Sequence, residues 1–346
     1  MKKLKIAQIS PLRLPVPAEK KGGNERIISY ITEELVKRGH DVTLFASGDS
    51  KTNAKLVPLL EKSLDTVIFS RDNFWWNIFS HSVAFEKASK FDVIHCHWDI
   101  MGAFFQKFVK TPVLNTVHYV ETPQKIVWNI FEYYKNDVNI AFITENQKKN
   151  SPIKFKNCWV VPNGTDTSQF KFNLHPKNHF VWAGRTTFNK NIKEVLALAK
   201  ASKIELLLAG DTPKERVDYL EKEVKPHLNS KIKHIGELSL KELPEFYGSA
   251  KACLYPMGLV KLESMACGTP IIVLDNNKLK KTSMIVDKKT GFIVKNTEEA
   301  VDAIKKIDTI NRHDCREFVE KNFSIEKMVD EYEKIYYEII KKRREN

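Results

Sequence analysis

The sequence predicts an α/β protein of two doubly wound parallel-sheet domains, and three observations point there. Short β-branched or apolar runs alternate with longer helical patterns almost throughout, the order that lays helices on both faces of a parallel sheet. The runs number about a dozen, more than one open sheet usually carries. Between the two sets of runs lies "NGTDTSQFKFNLHPKNH", residues 163–179, polar, turn-rich and without periodicity. At 346 residues the chain is long enough for two ordinary domains. The expected boundaries are 1–168 for the first domain, 169–324 for the second and 325–346 for a last amphipathic helix ending in "KKRREN". By its pattern alone that helix could fold against either domain.

In the first half the strand candidates are "LKIAQIS", "DVTLFAS", "DVIHCHW", "PVLNTVH", "IAFITEN" and "CWVVPNG". The second half offers "HFVWAGR", "IELLLAGD", "IKHIGE", "ACLYP", "PIIVLD" and "GFIV". Of the helices between them, "NERIISYITEELVKRG" sets Ile27, Ile28, Ile31 and Leu35 at helical spacing with Gly39 as a stop.

Hydrophobic residues make up 42% and charged residues 29%, a globular rather than a disordered composition. No apolar run approaches the length of a membrane span, and "MKKLKIAQISPL" is too short and broken for a signal peptide. Five cysteines without a CxxC pair fit a reduced, cytoplasmic protein better than a disulfide scaffold or a zinc site. The formal net charge of +13 is spread over both halves. It suits anionic partners, and equally plain solubility. The aromatic stretches "FWWNIF" and "GAFFQKFVK" have two readings, core helix faces or a surface lying on a membrane with a lipid acceptor.

In open parallel sheets ligands bind beyond the carboxyl ends of the strands, and polar residues and glycines collect there. Gly22 and Gly23 precede a helix, where flexible backbone can approach an anion or a sugar, or simply turn. They are not a GxGxxG, which counts against a nicotinamide-dependent oxidoreductase. His95 and His97 end one strand and His118 the next; zinc is one reading, but no fourth ligand stands out. Arg185 follows "HFVWAG" and Lys190 comes five residues later, two cations suited to a diphosphate.

The stretch "LYPMGLVKLESMACGTPIIV" holds a short helix expected to open at Gly258, with strands on either side. At 100° per residue Glu263 lies among Leu259 and Val260, while Lys261 and Ser264 point the other way. A buried carboxylate needs a partner. The amides of Gly258, Leu259 and Val260 at the helix start would bind phosphate. Glu263, one turn deeper, would accept the hydroxyls of an attached ribose, or else pair with an internal arginine or amide.

These pieces in this order resemble glycosyltransferase family 4: "GGNERIISYITEELVKRGHDVTLFASGDS", "FDVIHCHW", "TVHY", "VPNGTD", "AGRTTFNK", "LLLAG", "HIGE", "GLVKLESMACGTPII" and "TGFIV". The resemblance covers essentially the whole chain. It implies two Rossmann-like domains in the GT-B arrangement, an interdomain cleft and a last helix crossing back to the first domain. It implies a retaining transferase that moves a sugar from a nucleotide diphosphate sugar to a hydroxyl of a glycan, glycolipid or small molecule, without metal or cofactor. Arg185 and Lys190 would then hold the diphosphate, Glu263 the ribose, and the Gly258–Val260 amides the distal phosphate. Leu238 would line the base, Gly22 and Gly23 would approach donor or acceptor, and His118 would lie beside the sugar. The setting is cytoplasmic, with peripheral contact at the inner membrane face allowed and nucleic acid, motivated only by charge, not expected.

Two departures stand out. The register of the family's other glutamate holds Tyr255, in a shortened "YPMG" loop, which predicts a pocket that reads the sugar poorly. The segment "LDNNKLKKTSMIV" lacks the family's glycine pair and Pro-Glu. A catalytically impaired member that binds nucleotide as a regulatory or partner subunit is the alternative.

Overall fold

The computed structural model describes residues 2–64, 71–98, 100–118, 125–213, 216–275 and 284–345. They form two compact units: Met1–Ala18, Gly22–Gly164 and Ile325–Asn346 in the first, Glu19–Lys21 and Thr165–Ser324 in the second.

The first unit runs β1 (Lys5–Ile9), α1 (Gly23–Lys37), β2 (Asp41–Ala46), β3 (Lys55–Pro58), α2 (Arg71–Glu86), β4 (Val93–Cys96), α3 (Met101–Phe105), β5 (Val113–Val117), α4 (Lys125–Tyr134), β6 (Asn139–Phe142), α5 (Glu145–Lys149) and β7 (Asn157–Val160). Among the described residues its sheet has seven strands in the order β3-β2-β1-β4-β5-β6-β7, all pairs parallel. β3 is the strand the sequence pattern hides: "KLVP" is a half-buried edge strand whose lysine and proline break the apolar run.

The second unit runs β8 (Phe180–Ala183), α6 (Ile192–Ser202), β9 (Leu206–Ala209), α7 (Val217–Tyr219), β10 (Ile232–His234), α8 (Leu243–Gly248), β11 (Cys253–Leu254), α9 (Val260–Ala266), β12 (Ile271–Leu274), β13 (Gly291–Val294), α10 (Thr297–Lys305) and α11 (Arg312–Asn322). Its sheet has the order β10-β9-β8-β11-β12-β13, again all parallel. The strand order reverses beside β8 here and beside β1 in the first unit. Such switch points are where open sheets bind ligands. The fold is therefore two Rossmann-like α/β domains.

In α1, Ile27, Ile28, Ile31 and Leu35 are all buried. Gly39, at φ 82°, ends it: the Gly39 amide donates to the Val36 carbonyl and the His40 amide to that of Leu35. The last helix, α12 (Ile325–Glu345), belongs to the first unit and buries Val329, Tyr332, Ile335, Tyr336 and Ile339 there. Polar contacts fix it to the end of α1. Arg38 donates to Glu333 and, at 2.7 Å, to Asp330, while His40 Nε2 lies 2.7 Å from Glu333 Oε1. Burial alone would raise the Glu333 carboxyl, but the hydrogen bonds from Arg38 and His40 hold it below the usual range.

Candidate active site

The central strands of the second unit end alike. Gly184–Arg185, Gly210–Asp211 and Gly236–Glu237 follow β8, β9 and β10, a glycine and then a charge at three neighbouring carboxyl ends. The glycines carry the ladder past the strands: the Gly184 amide donates to the Ala209 carbonyl and the Gly210 amide to that of Gly236. A Cβ at Gly210, φ 152°, would sit 1.7 Å from the Gly184 carbonyl oxygen, so no other residue fits. Half-buried Arg185 has its Nε 4.0 Å from Asp211 Oδ1. Lys190 closes a short turn, Phe188–Lys190, pinned by the Trp182 indole donating to the Lys190 carbonyl at 3.1 Å. Leu238 lies half-buried beside Glu237, whose carboxyl is raised by burial and by the nearby Asp211.

Glu263, 1% exposed, lies inside α9, and its Oε2 accepts the Tyr247 hydroxyl from α8 at 3.3 Å. Two details correct the sequence reading. The helix opens at Val260 rather than Gly258, because Gly258 stands at φ 59°, a left-handed conformation that ends the preceding loop. Moreover, Lys261 and Ser264 are buried as well as Glu263. A two-turn helix with protein on every side has no solvent face, so the angular argument separates nothing. Burial lowers the Lys261 ammonium to about 8, and Ser264 Oγ donates to the Val260 carbonyl at 2.7 Å. Tyr255 is buried at φ 45°, an uncommon conformation for a bulky residue. Its amide donates to the Ile272 carbonyl at 2.8 Å. Most of "LDNNKLKKTSMIV" lies outside the described residues.

In the first unit His95, His97 and His118 do come together. His97 Nδ1 lies 3.0 Å from His118 Nε2, and His97 Nε2 lies 2.7 Å from Gln8 Oε1. His95 meets the Tyr336 hydroxyl through Nδ1 and Thr116 Oγ1 through Nε2, both at 2.7 Å. Gln8 Nε2 donates to the Tyr336 hydroxyl at 3.2 Å. His118 Nδ1 is the remaining ring nitrogen, buried and without a hydrogen-bond partner among the described residues. Burial, then the Arg13 charge, lowers His118 to about 3. His95 and His97 are likewise lowered by burial and by neighbouring histidines. The rings bond to one another and to β-strand and α12 side chains. No group of three or more His, Cys, Asp or Glu among the described residues is arranged to hold a metal. Gly22 caps α1 at φ 110°, where a Cβ would meet Ala18 at 2.6 Å, and Gly23 opens the helix.

Thus Gly22, Gly23 and His118 belong to the first unit, and Arg185, Lys190, Leu238, Gly258, Leu259, Val260 and Glu263 to the second. Sequence reasoning misses Tyr247, Gln8, Arg13 and Tyr336. Their signal is three-dimensional: Gln8 and Tyr336 meet across 328 positions of chain.

The start of α2 is built inside out, while Ala84 and Phe85 near its end join the core. Its buried side carries Asn73, Asn77, Ser80 and His81, while Trp75, Trp76 and Phe79 are exposed, Trp75 at 59%. Some of the buried polar groups are paired: Asn77 accepts the Leu12 amide at 3.3 Å and donates to Asn73, and His81 Nδ1 lies 2.8 Å from the Asn77 carbonyl, while Ser80 Oγ and His81 Nε2 have no hydrogen-bond partner among the described residues. Phe108 and Tyr133 are also exposed, with Lys107 lying 5.4 Å from the Tyr133 ring centroid. In "FWWNIF" the rings of Trp75, Trp76 and Phe79 are exposed, whereas "GAFFQKFVK" divides, Ala103, Phe105 and Val109 packing with the core and Phe104 and Phe108 facing outward. No described helix is long and apolar enough to cross a membrane.

Two family models match the chain. Glycosyltransferase Family 4 takes residues 21–169 and Glycosyl transferases group 1 takes residues 165–322. An alpha-monoglucosyldiacylglycerol synthase of Streptococcus pneumoniae is 23% identical, over 80% of this chain and 73% of that protein. Among solved structures, a sucrose-phosphate synthase of Thermosynechococcus elongatus superposes with a TM-score of 0.78 at 18% identity, over 98% of this chain and 99% of that one. A glycosyltransferase of Rickettsia africae gives 0.75 at 18% identity, over 99% and 100%. Two parallel-sheet domains with these matches define a glycosyltransferase of the GT-B fold. The chain belongs to glycosyltransferase family 4.

Proposed function

We propose that the chain moves a sugar from a nucleotide diphosphate sugar to an acceptor hydroxyl with retention of configuration. The observation that carries this is Glu263: a carboxylate 1% exposed, one turn into a helix at a strand's carboxyl end, held by Tyr247. It is poised to accept a ribose diol. Arg185 and Lys190 neutralise the diphosphate, with the backbone amides around Gly258, Leu259 and Val260 on its distal phosphate and Leu238 beside the base. Two cations fixed at this strand end before charge develops on the leaving group would stabilise the transition state without reorganising. The sugar–phosphate bond breaks, the acceptor oxygen bonds the sugar carbon from the same face, and the acceptor proton passes to the departing phosphate oxygen. His118 takes a sugar hydroxyl. No metal or cofactor is required, because the leaving group's charge is met by side chains and amides.

The acceptor we propose is a lipid headgroup or glycolipid at a membrane surface. The inside-out α2 supports this, since Trp75, Trp76 and Phe79 cost exposed apolar area that a bilayer interface would cover. The Streptococcus pneumoniae relative is itself named for a glucosyldiacylglycerol product.

The test is calorimetry against uridine, guanosine and adenosine diphosphates and their sugars, followed by transfer to lipid extracts. Saturable binding of one nucleoside diphosphate and transfer with retained configuration are expected. Absence of binding to all of them would overturn the reading.

A further inference from the structure

The buried path through Gln8 in the first unit has a polarity that is all or none. With the imidazoles neutral, as their burial requires, each ring has one N–H and one lone pair. Gln8 Oε1 accepts from His97 Nε2, so His97 Nδ1 must accept from His118 Nε2, and His118 Nδ1 is left with a lone pair. On the other branch the Tyr336 hydroxyl accepts from Gln8 Nε2 and so donates to His95 Nδ1, which leaves His95 Nε2 to donate to Thr116. Turning the Gln8 amide over reverses every one of these links and puts a proton on His118 Nδ1. Six side chains thus share two states, and the tautomer of His118 is decided at Gln8, two hydrogen bonds away.

We infer that Tyr336 is a positioning residue for His118. Its hydroxyl anchors the Gln8 amide in the orientation that presents His118 Nδ1 as a buried acceptor for a substrate hydroxyl. A second observation favours this state. In that state His118 Nε2 bonds His97 and Nδ1 carries the lone pair. That nitrogen is also the atom in the path that lacks a partner among the described residues, as an acceptor awaiting a ligand would. The role of Tyr336 rests on the reading of His118 as a group that touches substrate.

The experiment is long-range proton–nitrogen correlation spectroscopy on the full chain with 15N-labelled histidine, His118 being assigned by its loss in His118→Ala. The wild type is expected to show the Nε2–H tautomer at His118. Tyr336→Phe, which removes one oxygen from a core that keeps its shape, is expected to give a mixture of both tautomers. Its kcat should fall about tenfold while KM for the donor stays within about twofold, because only an interaction with the reacting complex is misdirected. Tyr332→Phe is the control. Its hydroxyl meets Thr116 at 3.3 Å, at the far end of the path, and its loss leaves the tautomer unchanged. A wild-type Nδ1–H tautomer, an unaltered tautomer in Tyr336→Phe, or equal effects of Tyr332→Phe and Tyr336→Phe would overturn the inference. If the tautomers behave as expected but His118→Ala transfers sugar at the wild-type rate, the path stands and the placing of His118 against substrate fails.

Discussion

The Tyr247 hydroxyl donates to Glu263 Oε2 across 3.3 Å, joining α8 to α9 in the interior of the second unit. The contact fixes the carboxylate inside the helix that follows β11. Glu263→Gln keeps the shape and removes the charge that strengthens its hydrogen bonds. It should weaken nucleoside diphosphate binding about tenfold and leave inorganic pyrophosphate binding nearly unchanged. Calorimetry with both ligands decides this, since equal losses would make the carboxylate structural.

Arg185 and Lys190 stand beyond β8 at the switch point of the second sheet. Arg185→Ala and Lys190→Ala should each weaken nucleoside diphosphate binding by about 1.5–3 kcal/mol, the range for a charged hydrogen bond. Unchanged affinity in both variants would remove the diphosphate from this strand end.

Tyr255, which the resemblance sets in the register of a second glutamate, is buried, and burial raises its phenol to about 12, so it is a neutral, inward-packed ring. A pocket short of polar groups rejects wrong sugars weakly, because few buried partners would be left unpaired. The bare nucleoside diphosphate and its sugar conjugates should bind within about tenfold of one another, ~1.4 kcal/mol. One conjugate bound a hundredfold more tightly than the rest would show that another residue reads the sugar.

Four fully buried histidines make stability depend on pH. Burial lowers His118 to about 3 and His81 to about 4, and His95 and His97 well below the usual value. In the unfolded chain they protonate near pH 6.5. Below that pH the unfolded state therefore binds more protons than the folded one, and stability falls as pH drops toward 4. Each histidine contributes up to ~1.4 kcal/mol per pH unit in that window. Urea midpoints should be level above pH 7 and decline steadily from pH 6.5 to 5. A midpoint that does not move over that range would mean that these rings protonate in place.

Arg38 donates to both Glu333 and Asp330 of α12. Arg38→Ala leaves the buried Glu333 carboxylate with His40 as its one remaining partner at this contact, and should cost about 2–3 kcal/mol of stability. The loss should appear in the unfolding of the first unit, with nucleoside diphosphate affinity unaltered.

Most of the fold could be read from the chain because both sheets are covered on both faces, so their strands stand out as apolar runs. β3 escaped because an edge strand needs no such run. Glu263 was found by its oddity among apolar neighbours, yet its setting was misjudged, since the helical wheel presumes a wet side that α9 does not have. His118 was visible as a polar residue at a strand end. The path that orients it was not, because Gln8 and Tyr336 look like any buried polar residue until the fold brings β1 and α12 together.

The membership of α12 in the first unit has a consequence for biosynthesis. The chain enters the second unit at Thr165 and leaves it at Ser324, and these two residues form a β-bridge, with the Thr165 amide also donating to the Phe323 carbonyl at 2.9 Å. The second unit is thus an insert whose ends are tied together. On the ribosome every residue of that insert emerges before Tyr332 and Tyr336, the side chains that complete the first unit's interior. The N-terminal half begins first and finishes last, so the nascent first unit waits with an uncovered core while its successor can already fold.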